Sequence, residues 1–214
     1  MSLGRVVRIL LGPLFPAVGR VYRRLFVDLD EVAAAFPTLR PGSTVLDVGG
    51  GDGAVIDRVL ARQPSLYVVM FDIAPRIGFM IHPSRRDRVR CFPSTPVSAF
   101  SAIQDIPIDI AIVSDVLHHV PAHKRLALLQ DVMSAFGVRP RCLVVKDVEP
   151  TGWLATLGLF SDRYISGDRG TSLLRQDEVV RLVHEIDPAL TVHHTDLFSR
   201  DAPNYAIVFG DVPR

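Results

Sequence analysis

Short, nearly continuous apolar runs alternate along this chain with longer stretches of helical spacing. Runs at 45–48, 66–71, 89–92, 109–113, 143–145, 190–194 and 204–210 have strand length and strand composition. Between them, 54–60, 76–81, 121–136 and 177–186 carry apolar residues three and four apart, the stripe of a helix with one buried face. The inward positions are Val55, Ile56, Val59 and Leu60 in the first helix, and Leu126, Leu129, Met133 and Phe136 in the third. Val179, Leu182, Val183 and Ile186 play that part in the last. Pro75 and Pro121 stand where helices can begin, since a first-turn proline forfeits no helical hydrogen bond. An earlier helix over 30–36 is closed by Pro37 and Pro41-Gly42.

One junction stands out. The first strand, Val45-Leu46-Asp47-Val48, runs into Gly49-Gly50-Gly51-Asp52-Gly53 and then directly into a helix. Strand, glycine turn and helix form the local plan of a nucleotide-binding crossover, in which a ligand approaches the backbone and the unpaired N–H groups of a helix start. A dinucleotide site wants G-x-G-x-x-G. Here Asp47 precedes glycines at 49, 51 and 53, giving D-x-G-x-G-x-G. That motif resembles motif I of the class I S-adenosylmethionine-dependent methyltransferases, and the order of elements over roughly 30–210 resembles theirs too. The resemblance implies a doubly wound α/β fold: a mostly parallel seven-stranded sheet with an antiparallel last strand and helices on both faces. It implies S-adenosylmethionine as cofactor and S-adenosylhomocysteine as product.

The totals narrow the class further. A chain of 214 residues with 48% hydrophobic and 22% charged residues suits one globular domain, and a net charge of +1 carries no nucleic-acid signature. Cys91 and Cys142 lie in apolar runs without partner spacing, which predicts buried free thiols and a cytoplasmic setting. No run is long enough to cross a membrane. Residues 1–27 hold five arginines and no acid, and Pro13 and Pro16 split them into two helical pieces. No secretory signal fits. We expect residues 1–36 to form a helical arm and 37–214 the cofactor-binding domain, with a substrate-facing insertion near 150–172. The arm is read as a cover over the substrate pocket, or as a basic apolar surface for peripheral membrane contact or a lipid-like substrate.

Candidate site residues follow from strand ends. Asp47, Gly49, Gly50 and Gly51 would hold the cofactor, and Asp72, closing the second strand, would accept hydrogen bonds from its ribose. By resemblance Ile73 lies beside the adenine. Family members often carry an Asp near Ser94; this chain has no acid there, so Ser94, Thr95 or backbone must take that contact. Ser114 and Asp115 follow the fourth strand, and the run Ser114-Asp115-Val116-Leu117-His118-His119-Val120, an acid before a Leu and then a His, resembles the family's motif IV. The resemblance gives His119 a structural role; His118 is the candidate general base and a substrate contact. Lys146 and Asp147 end the fifth strand and either touch substrate or pair with each other. Arg163, Tyr164 and Arg169 in the insertion are further substrate contacts, and Lys146, Arg163 and Arg169 together suggest an acidic or phosphorylated acceptor. His193-His194 lack a nearby third ligand, so no metal site is expected.

The resulting expectation is a metal-independent methyl transfer to a small or lipid-like acceptor, most naturally an oxygen, by in-line displacement. The absence of Asn-Pro-Pro-Tyr and Pro-Cys sequences argues against methylation of nucleic-acid bases. The glycine spacing, and the lack of a Tyr-x-x-x-Lys pair, argue against a dinucleotide oxidoreductase. The alternative is a non-catalytic S-adenosylmethionine-binding protein that docks a partner or membrane through its arm.

Overall fold

The computed structural model describes residues 29–103, 106–137, 141–150, 172–198 and 204–212. Seven strands form one sheet: β1 (Thr44–Val48), β2 (Tyr67–Phe71), β3 (Val89–Phe92), β4 (Ile110–Ser114), β5 (Cys142–Val148), β6 (Val192–Phe198) and β7 (Asn204–Gly210). Their spatial order is β3-β2-β1-β4-β5-β7-β6. All neighbours from β3 to β5 pair in parallel, while β7 runs antiparallel to both β5 and β6. The order reverses direction between β1 and β4, and in such sheets the crevice beyond the strand carboxyl ends at that switch is where ligands bind.

Helices cover both faces, and strand alternation decides which residues meet them. On one side Val45, Met70, Ile112 and Val144 pack against α1 (Leu29–Ala35) and α2 (Ala54–Arg62) through Ala33, Ile56, Val59 and Leu60. On the other, Leu46, Phe71, Val113, Val145 and Ile207 meet the short α3 (Phe100–Ile103), α4 (Ala122–Ser134) and α5 (Gln176–Ile186). Leu129, Val132, Met133, Val179 and Val183 are the buried helical residues there.

Two expectations are corrected. Residues 76–81 form no helix: Gly78 has φ +66°, and the N–H groups of Gly78 and Met80 donate to Gly51 and Asp52 carbonyls instead of to their own chain four back. The segment is thereby clamped onto the glycine turn, and a 3-10 turn, Pro83–Arg88, follows it. Cys91 is exposed, not buried, because β3 is an edge strand; Cys142 is buried as expected. Residues 1–28, most of the expected 1–36 arm, lie outside the described residues, as does most of the insertion; the last part of that arm, α1 and the residue after it, packs on the sheet with Ala33 and Phe36 in the core.

Candidate active site

The glycine turn is held by backbone geometry. Gly49, Gly51 and Gly53 all have positive φ, between 53° and 83°, which side chains other than glycine adopt only with strain. Gly50 is constrained differently: a Cβ there would lie 1.9 Å from Asp47 Oδ2. Asp47 therefore sits beneath the turn, 3% exposed. Burial, with the nearby Asp72 carboxylate adding to it, pushes the Asp47 carboxyl up from 3.8 to about 7. Asp72 closes β2 and accepts from Gly51 N at 2.9 Å and Ala74 N at 2.8 Å, which fixes its carboxylate against the turn. The loop after β3 packs onto this corner, with Ser94 N donating to Ala74 O and Thr95 N to Asp72 O. Ile73, the next residue after Asp72, is 79% exposed.

The second half of the site is built between β4 and β5. Asp115 has φ +57° and donates its N–H to Lys146 O. The Lys146 ammonium, 2% exposed, returns to Asp115 Oδ1 at 2.5 Å, and Ser114 Oγ donates to Asp115 Oδ2 at 3.3 Å. Burial alone would raise the Asp115 carboxyl, but Lys146, with help from His118 and Ser114, outweighs it and holds Asp115 below its ordinary value. Asp147 is fully buried on the opposite face of the same strand. Its Oδ1 lies 2.5 Å from His118 Nδ1 and also accepts from Val148 N, while Oδ2 accepts from His118 N. Lys146 and Asp147 thus do not pair with each other; strand alternation sends each to a different partner. Asp115, His118 and Asp147 offer three ligand atoms within 4.8 Å of one another. Two of these are already engaged with each other and Asp115 is neutralised by Lys146, so the group is a paired network more than a vacant chelate.

His118 is buried and His119 is exposed, with ring centroids 4.0 Å apart. Of the two, His118 has the buried ring, held by Asp147, while His119, to which the resemblance assigns the structural role, is exposed. Around them, Arg125 of α4 donates Nε–H to Leu117 O and Val120 O, and its terminal nitrogen to Ser172 O and Oγ.

The profile of the methyltransferase-domain family matches residues 19–140, more than half of the 214 residues. The chain belongs to that family. No curated protein matches the sequence. Among solved structures, an O-methyltransferase family 2 protein from Planctomyces limnophilus, in complex with apigenin, is 20% identical with a TM-score of 0.68 over 98% of this chain and 62% of its own. The mitomycin 7-O-methyltransferase MmcR gives 20%, 0.68, 98% and 60%. A SAM-dependent methyltransferase from Archaeoglobus fulgidus gives 11% and 0.63 over 91% of this chain and 99% of its own. At these identities the likeness establishes the fold. This methyltransferase domain spans about six-tenths of the length of the two O-methyltransferases.

Of the residues singled out from sequence, the fold brings Asp47, Gly49, Gly50, Gly51, Asp72, Ile73 and Ser94 to one corner. Ser114, Asp115, His118, Lys146 and Asp147 assemble at the other. Arg163, Tyr164 and Arg169 lie outside the described residues. Arg125 was missed. Its signal was a lone arginine on the apolar stripe of a helix, one turn before Leu129.

Proposed function

We propose that this methyltransferase domain moves the methyl group of S-adenosylmethionine to an oxygen of a small or lipid-like acceptor, with His118 as general base. The observation that carries the reading is the buried His118–Asp147 pair at the carboxyl ends of β4 and β5, one strand from the glycine turn. Asp147 accepts the Nδ1 proton, which leaves the basic lone pair of the ring on Nε2. On taking a proton from an acceptor hydroxyl, His118 becomes an imidazolium, and the Asp147 carboxylate stabilises that charge.

In the same reading the neighbouring glycine turn takes the cofactor. A Cβ built on Gly51 meets nothing nearer than Gly49 O at 4.0 Å, so the turn is open on that side while it is packed beneath Gly50. In the proposed assignment the backbone of Gly49, Gly50 and Gly51 faces the amino acid end, with Asp47 supporting the turn from below. Asp72 accepts the ribose hydroxyls, Ile73 and Ser94 flank the adenine, and Ser114 and Asp115 border the reacting end. Bound there, S-adenosylmethionine supplies a methyl group on a positively charged sulfur, already a good leaving group. The remaining work of the chain is alignment and removal of one proton.

The choice of oxygen draws support from the structural neighbours. MmcR is a 7-O-methyltransferase, and the neocarzinostatin O-methyltransferase was solved with S-adenosylhomocysteine and 1,4-dihydroxy-2-naphthoic acid. Acceptor contacts from Lys146, Arg163, Tyr164 and Arg169, and a pocket-covering or membrane-facing role for residues 1–27, belong to the same proposal. Among the described residues no helix is long and apolar enough to cross a membrane.

Calorimetry with S-adenosylmethionine, S-adenosylhomocysteine and NADH tests the cofactor, followed by labelled-methyl transfer to a panel of phenols, hydroxylated acids and lipids. The first two should bind and NADH should not. His118→Asn should keep its S-adenosylhomocysteine affinity and lose about a hundredfold or more in kcat. Binding of NADH alone, or full turnover by His118→Asn, would overturn the reading.

A further inference from the structure

We infer that Arg125 is a positioning residue for His118, joining the turn that carries this histidine to the chain at Ser172. The inference rests on His118 being the base of the proposed reaction. His118 lies in a 3-10 turn, Leu117–His119, too short to hold a fixed direction through its own hydrogen bonds. The carbonyls around it are nonetheless occupied. Leu117 O accepts from Val120 N and from Arg125 Nε at 3.0 Å; Val120 O accepts from the same Nε at 2.9 Å. His118 O accepts from Ser172 N at 2.9 Å. Arg125 then closes the circuit, its terminal nitrogen donating to Ser172 O and Oγ, both at 2.6 Å.

Arg125 is 7% exposed, and burial lowers its pKa against the opposing pull of Asp147, Glu178 and Tyr205. A side chain so costly to bury persists where a planar fork is needed to bond in two directions, which a lysine ammonium cannot do from one point. The two ends of the fork hold the His118 turn and the segment leading into α5. Asp147 fixes the ring of His118, and Arg125 fixes the backbone from which the ring projects. A ring swung off this line would keep only a longer, more bent hydrogen bond to Asp147.

The test observes His118 directly and needs no acceptor. Imidazole nitrogen NMR of the full chain, with His118 assigned through His118→Asn, gives its tautomer, its pKa and the exchange of its Nδ1 proton. In Arg125→Met we expect that proton to exchange roughly tenfold faster or to be lost, with the Nε2–H tautomer gaining population. Arg125→Lys should fall between Met and wild type. Ser172→Ala, which removes one of the acceptors, should move His118 the same way by less, and it serves as the deciding variant if Arg125→Met does not fold. An unchanged His118 spectrum in a folded Arg125→Met, or in Ser172→Ala if that variant alone folds, overturns the inference. Calorimetry with S-adenosylhomocysteine is run in parallel. If wild type fails to bind it, the functional proposal falls, while the spectra still decide whether Arg125 positions His118.

Discussion

The glycine turn and the His118 turn stand beside each other at the carboxyl ends of the sheet, but they are held in different ways. The first is a backbone object. Gly49, Gly51 and Gly53 adopt positive φ, and Gly50 leaves room for the Asp47 carboxylate, so each position depends on the absence of a side chain. The second is a side-chain object, in which Asp115 meets Lys146, His118 meets Asp147, and Arg125 reaches Ser172, partners 29 to 47 residues apart. A backbone object tolerates almost no substitution, whereas a side-chain network loses its members one at a time.

That contrast can be strained experimentally, beginning with the largest effect. Asp47 keeps its proton in the fold up to about pH 7, whereas the unfolded chain releases it near 3.8. Between those values the native state binds more protons than the unfolded one, so this group makes stability fall as pH rises, by about 4 kcal/mol across the window. Urea melts from pH 4 to pH 8 should show that decline in wild type and a flatter profile in Asp47→Asn. Gly50→Ala comes next, since the new methyl overlaps Asp47 Oδ2. A loss of about 3 kcal/mol together with S-adenosylhomocysteine binding is expected; a folded, binding Gly50→Ala would show that the turn can shift.

In the side-chain half, Lys146→Met strands Asp115. Because the Asp115 side chain is 35% exposed, the loss should be about 2 kcal/mol, below that of a fully buried pair. It should shrink as pH falls and Asp115 takes up a proton, which melts at pH 7 and pH 4 would resolve. Ser114→Ala removes only the 3.3 Å bond to Asp115 and should change stability by about 0.5 kcal/mol or less. If Ser114→Ala rivals Lys146→Met, the network is more cooperative than its geometry implies.

The same contrast explains what the sequence made legible. Alternation of strand runs and helical stripes sufficed for the sheet, and D-x-G-x-G-x-G identified the turn because glycine spacing encodes backbone shape. Residues 76–81 misled because their helical spacing is local, whereas the donors that settle the matter reach back to Gly51 and Asp52. Lys146-Asp147 was ambiguous for a related reason. Adjacent charges suggest pairing in a linear reading, and only their membership in a strand sets them on opposite faces. Which of two neighbouring histidines is buried is equally non-local, since the ring of His118 is held by Asp147, 29 residues away.

The placement of Lys146 and Asp147 on successive positions of β5 also has an evolutionary side. Substitution of Lys146 removes the ion pair to Asp115, and substitution of Asp147 removes the hydrogen bond to His118, each leaving the other in place. Deleting a single residue earlier in the strand would turn both side chains to the wrong faces at once, separating Lys146 from Asp115 and Asp147 from His118. β5 therefore behaves as a reading frame for the site: a point change breaks one contact, whereas an insertion or deletion breaks both. A change of length between Cys142 and Val148 should cost the site more than one in the loops.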